Sequence, residues 1–160
     1  MVRTGLGVDS HRFAPGRRLI LGGVEIPHDA GLAGHSDADV LTHAVIDALL
    51  GAAGLGDIGT HFPDTEAQWK DADSLALLRD VVGRLTGDGW AIGNVDATVM
   101  LERPKLLPHR AAITAALADA LGLAGDAVNV KATTGEGMGF VGRGEGAAAM
   151  AVATLECAAG

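Results

Sequence analysis

The stretch Asp37–Leu55 contains no proline and carries Leu41, Ala44, Val45, Ala48 and Ala52 at helical spacing, which predicts a long α-helix with Ser36 as its expected N-cap. Val40, Ile46 and Leu50 fall off that stripe, so the helix is apolar on most of its sides. Such a helix must be covered by other elements, which commits the chain to a layered fold with this segment between layers. His43 stands in its middle, in the series Asp39-x-x-x-His43-x-x-x-Asp47, and an imidazole in those surroundings needs a partner. Four-residue spacing aligns the three side chains and makes Asp39 or Asp47 the expected group that orients His43.

The remaining periodicities supply what covers the helix. Val2–Val8 and Arg18–Ile26 read as strands, the second interrupted by Gly22-Gly23, a pair suited to a hairpin turn or a bulge. Leu75, Leu78, Val82 and Leu85 mark a second helix that starts near Ser74 and stops at Gly87-Asp88-Gly89. Ile92, Val95, Ala97, Val99 and Leu101 predict a long strand, and Ile113, Leu117 and Leu121 a third helix ended by Gly122. Val128–Thr133 and Gly146–Leu155 complete the strands. The expected class is α/β, as an α+β two-layer sandwich: a mixed sheet with helices packed on one face, in a ferredoxin-like arrangement. The 160 residues show no repeat or linker and read as one domain, 1–160.

Charge narrows the function. A formal net charge of -8 with only 12 Lys and Arg argues against a protein that coats nucleic acid, so any anionic ligand must be small and locally held. The acidic balance also raises the demand for a cation wherever a phosphate binds. The single Cys157 allows neither an intrachain disulfide nor a cysteine zinc site. No signal-peptide pattern opens the chain, and no stretch approaches the ~20 apolar residues of a membrane span. The cytoplasm is the expected location, or the plastid stroma where an organelle-targeting segment has been removed.

Asp9-Ser10-His11 follows an apolar strand directly, so the two-residue period points both functional side chains the same way and lets them grip one ion. With His43 they form two imidazoles and one carboxylate, a common catalytic zinc set that leaves a fourth position for water or a substrate oxygen. Singly, each motif also suits a loop-capping role. His35-Ser36-Asp37 precedes the long helix, where backbone N–H groups stabilise an anion; Ser36 acting as a simple cap is compatible with that. Three sequence neighbours cannot generally present a catalytic triad to one atom. Asp57, in Gly56-Asp57-Ile58-Gly59, can accept from sugar hydroxyls, although in isolation the segment is a loop. The run Thr133-Thr134-Gly135-Glu136-Gly137-Met138-Gly139 offers backbone donors and Glu136 as an oxygen ligand for a hard cation, but lacks the strand-to-helix context of a dinucleotide fingerprint. Arg143-Gly144-Glu145-Gly146 reads as a surface turn or an interface ion pair, and His28 and His109 as loop or surface residues.

Together, D-S-H-R-F, L-G-G-V-E-I-P, G-H-S-D-A-D-V-L-T-H, G-D-I-G-T-H-F-P-D-T, L-L-P-H, V-K-A-T-T and G-R-G-E-G, in this order from about Val2 to Leu155, resemble the 2-C-methyl-D-erythritol 2,4-cyclodiphosphate synthase family. The resemblance implies zinc on Asp9, His11 and His43, phosphate positioning by His35 and Ser36, and ribose contacts from Asp57 and Gly59. It implies a second cation, magnesium or manganese, on Glu136. It also implies a cytidine phosphate pocket from Lys105, Leu107, Thr133 and Thr134, shared between neighbouring subunits of a homotrimer. His35, Ser36, Thr134 and Glu136 form the implied catalytic set; Asp64 and Phe140 join the substrate-binding set. Arg143, with Glu145, corresponds to a site on the trimer axis that takes isoprenoid diphosphates in some members. The implied reaction closes a cytidine diphosphate substrate into a ring with release of CMP. A zinc or magnesium phosphohydrolase and a non-catalytic isoprenoid-diphosphate or metal-binding module are the competing readings.

Overall fold

The structure, a computed structural model, describes residues 1–157. Its longest strand, β1 (Val2–Pro15), extends well past Val8, so Asp9 and His11 lie inside a strand rather than beyond its end. The extension is held by continuous antiparallel pairing with the C-terminal strand, from Val2 opposite Glu156 to Arg12 opposite Gly146. The expected Arg18–Ile26 strand is a hairpin of β2 (Leu19–Leu21) and β3 (Val24–Ile26). Its Gly22 and Gly23 have φ of 57° and 74°, the left-handed values that a two-residue primed turn requires. A further short strand, β4 (Ala30–Leu32), is too brief to leave a periodic signal and pairs with the end of β1.

The long apolar segment forms α1 (Val40–Ala53), which starts later than the spacing suggests. Its N-cap is Asp39 and not Ser36. The buried Asp39 carboxylate accepts from Thr42 N at 3.0 Å and Thr42 Oγ1 at 2.7 Å, and from Gly22 N at 2.9 Å and Gly23 N at 2.7 Å. Four donors on one carboxylate fasten the helix start to the hairpin turn, a role that the shorter Ser36 side chain does not fill. Beyond it follow the four-residue α2 (Ile58–His61), then α3 (Ser74–Gly87), β5 (Trp90–Met100), α4 (Arg110–Leu121), β6 (Val128–Thr133), the four-residue α5 (Gly139–Gly142) and β7 (Gly146–Cys157).

The five-stranded sheet has the order β4-β1-β7-β5-β6, antiparallel except for the β5–β6 pair. β1 and β5 run parallel with β7 inserted between them, the split βαβ unit of a ferredoxin-like arrangement. The rest departs from it, because α4 joins β5 directly to an adjacent parallel β6. The mixed sheet with helices on one face is as expected.

Small residues bring α1 down onto the sheet. Gly5 and Gly7 of β1 face it, and Ala147, Ala149, Ala151 and Ala153 of β7 stand beside them. A Cβ built on Gly7 would lie 1.9 Å from the carbonyl oxygen of Ala44, and one on Gly5 would lie 2.0 Å from that of Ala48. The helix backbone thus occupies the volume where side chains would stand, and its other sides bury Leu41, Ile46, Leu49 and Leu50. The opposite sheet face leaves Leu6 and Val8 exposed beside their partners Val152 and Met150.

Gly7→Ala must push α1 off the sheet, because the clash is with backbone. The variant is expected to lose about 1–3 kcal/mol, a fall of about 3–10 °C in thermal midpoint. Melting with the parent would show that the close approach carries no weight.

Candidate metal centre

Along β1, residues 5, 7, 9 and 11 share the helix-facing side, and the strand carries Asp9 and His11 past the end of the glycine pair. Above them α1 presents His43, one turn before Asp47. One ligand atom from each of Asp9, His11 and His43 lies within 4.8 Å of the others. Asp9 Oδ2 is 2.9 Å from His11 Nε2 and 3.1 Å from His43 Nδ1, and the two ring nitrogens are 3.4 Å apart. His43 is only 7% exposed, so its ring belongs to the interior and not to an open helix surface.

His11 tests whether a cation fits. Its Nδ1 lies 2.8 Å from the carbonyl oxygen of Ala33, which only accepts, so Nδ1 carries a proton and the neutral ring turns the lone pair on Nε2 toward Asp9. A carboxylate oxygen and an imidazole lone pair at 2.9 Å repel, and either a second proton on the ring or a cation held between them relieves the repulsion. Two imidazoles and a carboxylate are a donor set suited to a borderline divalent ion such as zinc.

The expected orienting role of Asp39 or Asp47 is not what the structure shows. Asp39 is spent on its four cap bonds, and Asp47 accepts from Ile58 N at 2.7 Å. The His43 Nε2 instead meets Ser74 Oγ at 2.8 Å and Ser36 Oγ at 3.2 Å. Ser74 starts α3, 31 residues away in sequence, where a serine signals only a helix end.

A cavity of about 440 Å³ opens over the trio. It brings His35, Ser36, Gly59 and Asp64 to Asp9, His11 and His43, and Phe62 and Trp69, edge-to-face at 5.0 Å, wall it. His35 donates through Nε2 to the Glu66 carbonyl at 3.2 Å. Arg17, which has no motif to mark it, pins the preceding loop by donating to the carbonyls of Leu32 at 2.7 Å and Ser36 at 2.9 Å. Asp57 does not line this cavity: its carboxylate caps α2 through Thr60 N at 2.9 Å and Thr60 Oγ1 at 2.8 Å.

The other candidates lie elsewhere. Leu107 borders a cleft of about 110 Å³ between α4 and β6, with Lys105 exposed nearby in sequence. Thr133 ends β6 and is paired through Met100 and Ala148 to Ser10, which sets it roughly 14 Å from the metal strand, three strand spacings. Thr134 and the exposed Glu136 follow it, with Gly135 N tied to Glu102 Oε2 at 2.8 Å, a tether that no motif indicated. Phe140 borders a groove beside Ser10 and Arg12. Arg143 forms a two-point ion pair with Glu145, at 3.0 and 3.3 Å.

Burial alone would raise the Asp9 carboxyl, but hydrogen bonds and charge from His11 and His43 outweigh it and bring the group from 3.8 to about 2. Burial likewise works to lower His11, and Asp9 reverses it, so the imidazole titrates above 6.5. For metal-free protein the signs follow. The Asp9 contribution, about 2 kcal/mol, is complete above pH 3.8 and vanishes as pH falls through about 2. The His11 contribution is complete below pH 6.5 and fades as pH rises through its raised value. Denaturant titrations of metal-free Asp9→Asn and parent should differ most between those limits and converge toward acid. A difference independent of pH would remove this ion pair from the account.

Residues 2–156 match the model of the YgbB family. The 2-C-methyl-D-erythritol 2,4-cyclodiphosphate synthase of Salinibacter ruber is 65% identical over 157 residues, covering 98% of this chain and all of that protein. The bifunctional enzyme IspD/IspF of Anaeromyxobacter dehalogenans is 61% identical, over 99% of this chain and 41% of its own length. A CDP-bound 2C-methyl-D-erythritol-2,4-cyclodiphosphate synthase superposes with a TM-score of 0.89 at 39% identity, covering 96% of this chain and all of the other. The Plasmodium falciparum IspF–CDP complex gives 0.87 at 30% identity, over 99% and 97% of the two chains. On sequence and on fold alike, this chain belongs to the YgbB family.

Proposed function

We propose that this chain converts 4-diphosphocytidyl-2-C-methyl-D-erythritol 2-phosphate to 2-C-methyl-D-erythritol 2,4-cyclodiphosphate with release of CMP, in the non-mevalonate route to isoprenoid precursors. The observation that carries the reading is the convergence of Asp9, His11 and His43 under a cavity that also holds His35 and Ser36, in a chain 65% identical to a synthase of that name. An oxygen of the 2-phosphate attacks the β-phosphorus; the new P–O bond forms as the bond to CMP breaks, and CMP leaves with the electron pair. Asp9, His11 and His43 would hold zinc, which would supply charge neutralisation at the phosphates, and Glu136 would hold magnesium or manganese, which would supply the same at the diphosphate.

His35 and Ser36 have the task of orienting the attacking phosphate. No side chain need act as a nucleophile, so holding both ends of one molecule in register provides much of the rate. Lys105, Leu107, Thr133 and Thr134 are assigned to the cytidine phosphate end, Asp57 and Gly59 to ribose, and Asp64 and Phe140 to the substrate-binding walls. The roughly 14 Å between Thr133 and the metal strand of one chain supports a site completed by a neighbouring subunit. Self-association as a homotrimer is supported further by the exposed apolar cluster Leu6, Val8, Met150 and Val152 on the bare sheet face. Arg143 is assigned to an isoprenoid diphosphate on the trimer axis. Among the described residues no helix is long and apolar enough to cross a membrane, in keeping with a cytoplasmic location or a plastid stroma.

CMP release and phosphorus NMR of the products test the reaction: a cyclic diphosphate is expected, and a linear one would favour the phosphohydrolase. His43→Ala should lose zinc and slow CMP release by more than the roughly 100-fold typical of outer-sphere changes. Zinc retained in full would overturn the ligand assignment. Leu6→Asp should shift sedimentation at micromolar concentration from trimer toward monomer; a parent that is already monomeric would defeat the shared-site reading.

A further inference from the structure

The His43 ring has two nitrogens, and only one can serve the metal centre. Nδ1 faces Asp9 and His11; Nε2 faces away, toward Ser74 Oγ at 2.8 Å. Ser74 is fully buried, and its surroundings leave the hydroxyl little choice. Asp37 stands on its other side: Oδ2 accepts from Ser74 N at 2.9 Å, and Oδ1 accepts from Ser74 Oγ and from Asp39 N at 3.1 Å. A carboxylate only accepts, and a serine hydroxyl has a single proton. That proton goes to Asp37, so toward His43 the Ser74 oxygen can only accept, and His43 must carry its proton on Nε2.

From this geometry we infer that Asp37 and Ser74 act as positioning residues that keep a proton on His43 Nε2, so that Nδ1, 3.1 Å from Asp9 Oδ2, is the nitrogen left to take the metal. The inference deepens the metal-centre reading and rests on it. The direction of the chain is fixed by its far end: the carboxylate orders the hydroxyl, and the hydroxyl orders the imidazole. Ser36 fits the same scheme. Its Oγ accepts from Ala38 N at 3.3 Å and lies 3.2 Å from the same Nε2, so it too faces donors on that side and keeps its own proton to give into the cavity. His11 is fixed independently, through the Ala33 carbonyl. One ring thus offers Nε2 and the other Nδ1, each with its remaining nitrogen committed to the protein.

Ring nitrogen-15 NMR of the full-length, zinc-free parent at alkaline pH reads the tautomer with no variant required. His43 is expected with a protonated Nε2 and a bare Nδ1; the reverse pattern overturns the inference whether or not the chain binds zinc. Ser74→Ala should then show a mixture of tautomers and, by competition with a chromogenic chelator for zinc alone, an affinity about 10–100-fold weaker. Ser74→Thr, which keeps the hydroxyl, should restore both readings. Zinc affinity of Ser74→Ala within about twofold of the parent, or an unchanged tautomer, would reduce Ser74 to a packing residue. A parent that shows the expected tautomer but takes up no zinc would instead refute the metal-centre reading.

Discussion

Everything at this site depends on how closely one helix approaches one strand. Gly5 and Gly7 leave the α1 backbone in van der Waals contact with β1, and the neighbouring alanines of β7 keep the floor flat on the other side. Had either glycine carried a methyl group, the helix would ride higher. His43 would then stand away from Asp9 and His11, which the same strand carries two and four residues further along. The glycine pair is therefore a spacer for the metal ligands as much as a packing device. It contributes no atom to the centre.

Much of this was legible beforehand, for identifiable reasons. The apolar breadth of residues 40–53 marked α1 as an inner element, and strand alternation placed Asp9 and His11 on one side. Both follow from periodicity, which is local information. What was not legible lies in tertiary pairing. Strand β1 continues through polar residues because β7 is there to receive it, and Asp39 displaces Ser36 as the cap because a hairpin turn offers it two further donors. The i, i+4 spacing of Asp39, His43 and Asp47 set them on one stripe, yet backbone amides claimed both carboxylates. The partners that His43 did find, Ser74 and through it Asp37, sit on a different helix and in the loop before its own. Arg17 and Glu102 act on backbone groups of loops far away in sequence, and no spacing rule points to them.

The candidate residues of one chain divide into a proposed metal half, gathered under a single cavity, and a proposed nucleotide half at the end of β6 and in the segments beyond the ends of β5 and β6. Both halves lie at the same end of it, since Ser10 and Thr133 fall on one row of the ladder. A five-stranded sheet whose uncovered face is apolar along β1 and β7 and polar along β5 and β6 can carry both without bending, provided that the distance between them is closed by something other than the chain itself.

Helix α1 has one more consequence. It is the only part of the centre that is also the middle of the core, with Leu41, Ile46, Leu49 and Leu50 buried around the turn that bears His43. A ligand held by surface loops can be released by opening those loops; one held by His43 cannot be let go by fraying, because α1 has no cheap way to move. Ion occupancy at this centre is therefore coupled to unfolding of the whole domain, and each tenfold excess of free ion over its dissociation constant adds about 1.4 kcal/mol to the global stability. A divalent ion bound at this centre would, on this account, double as a keystone.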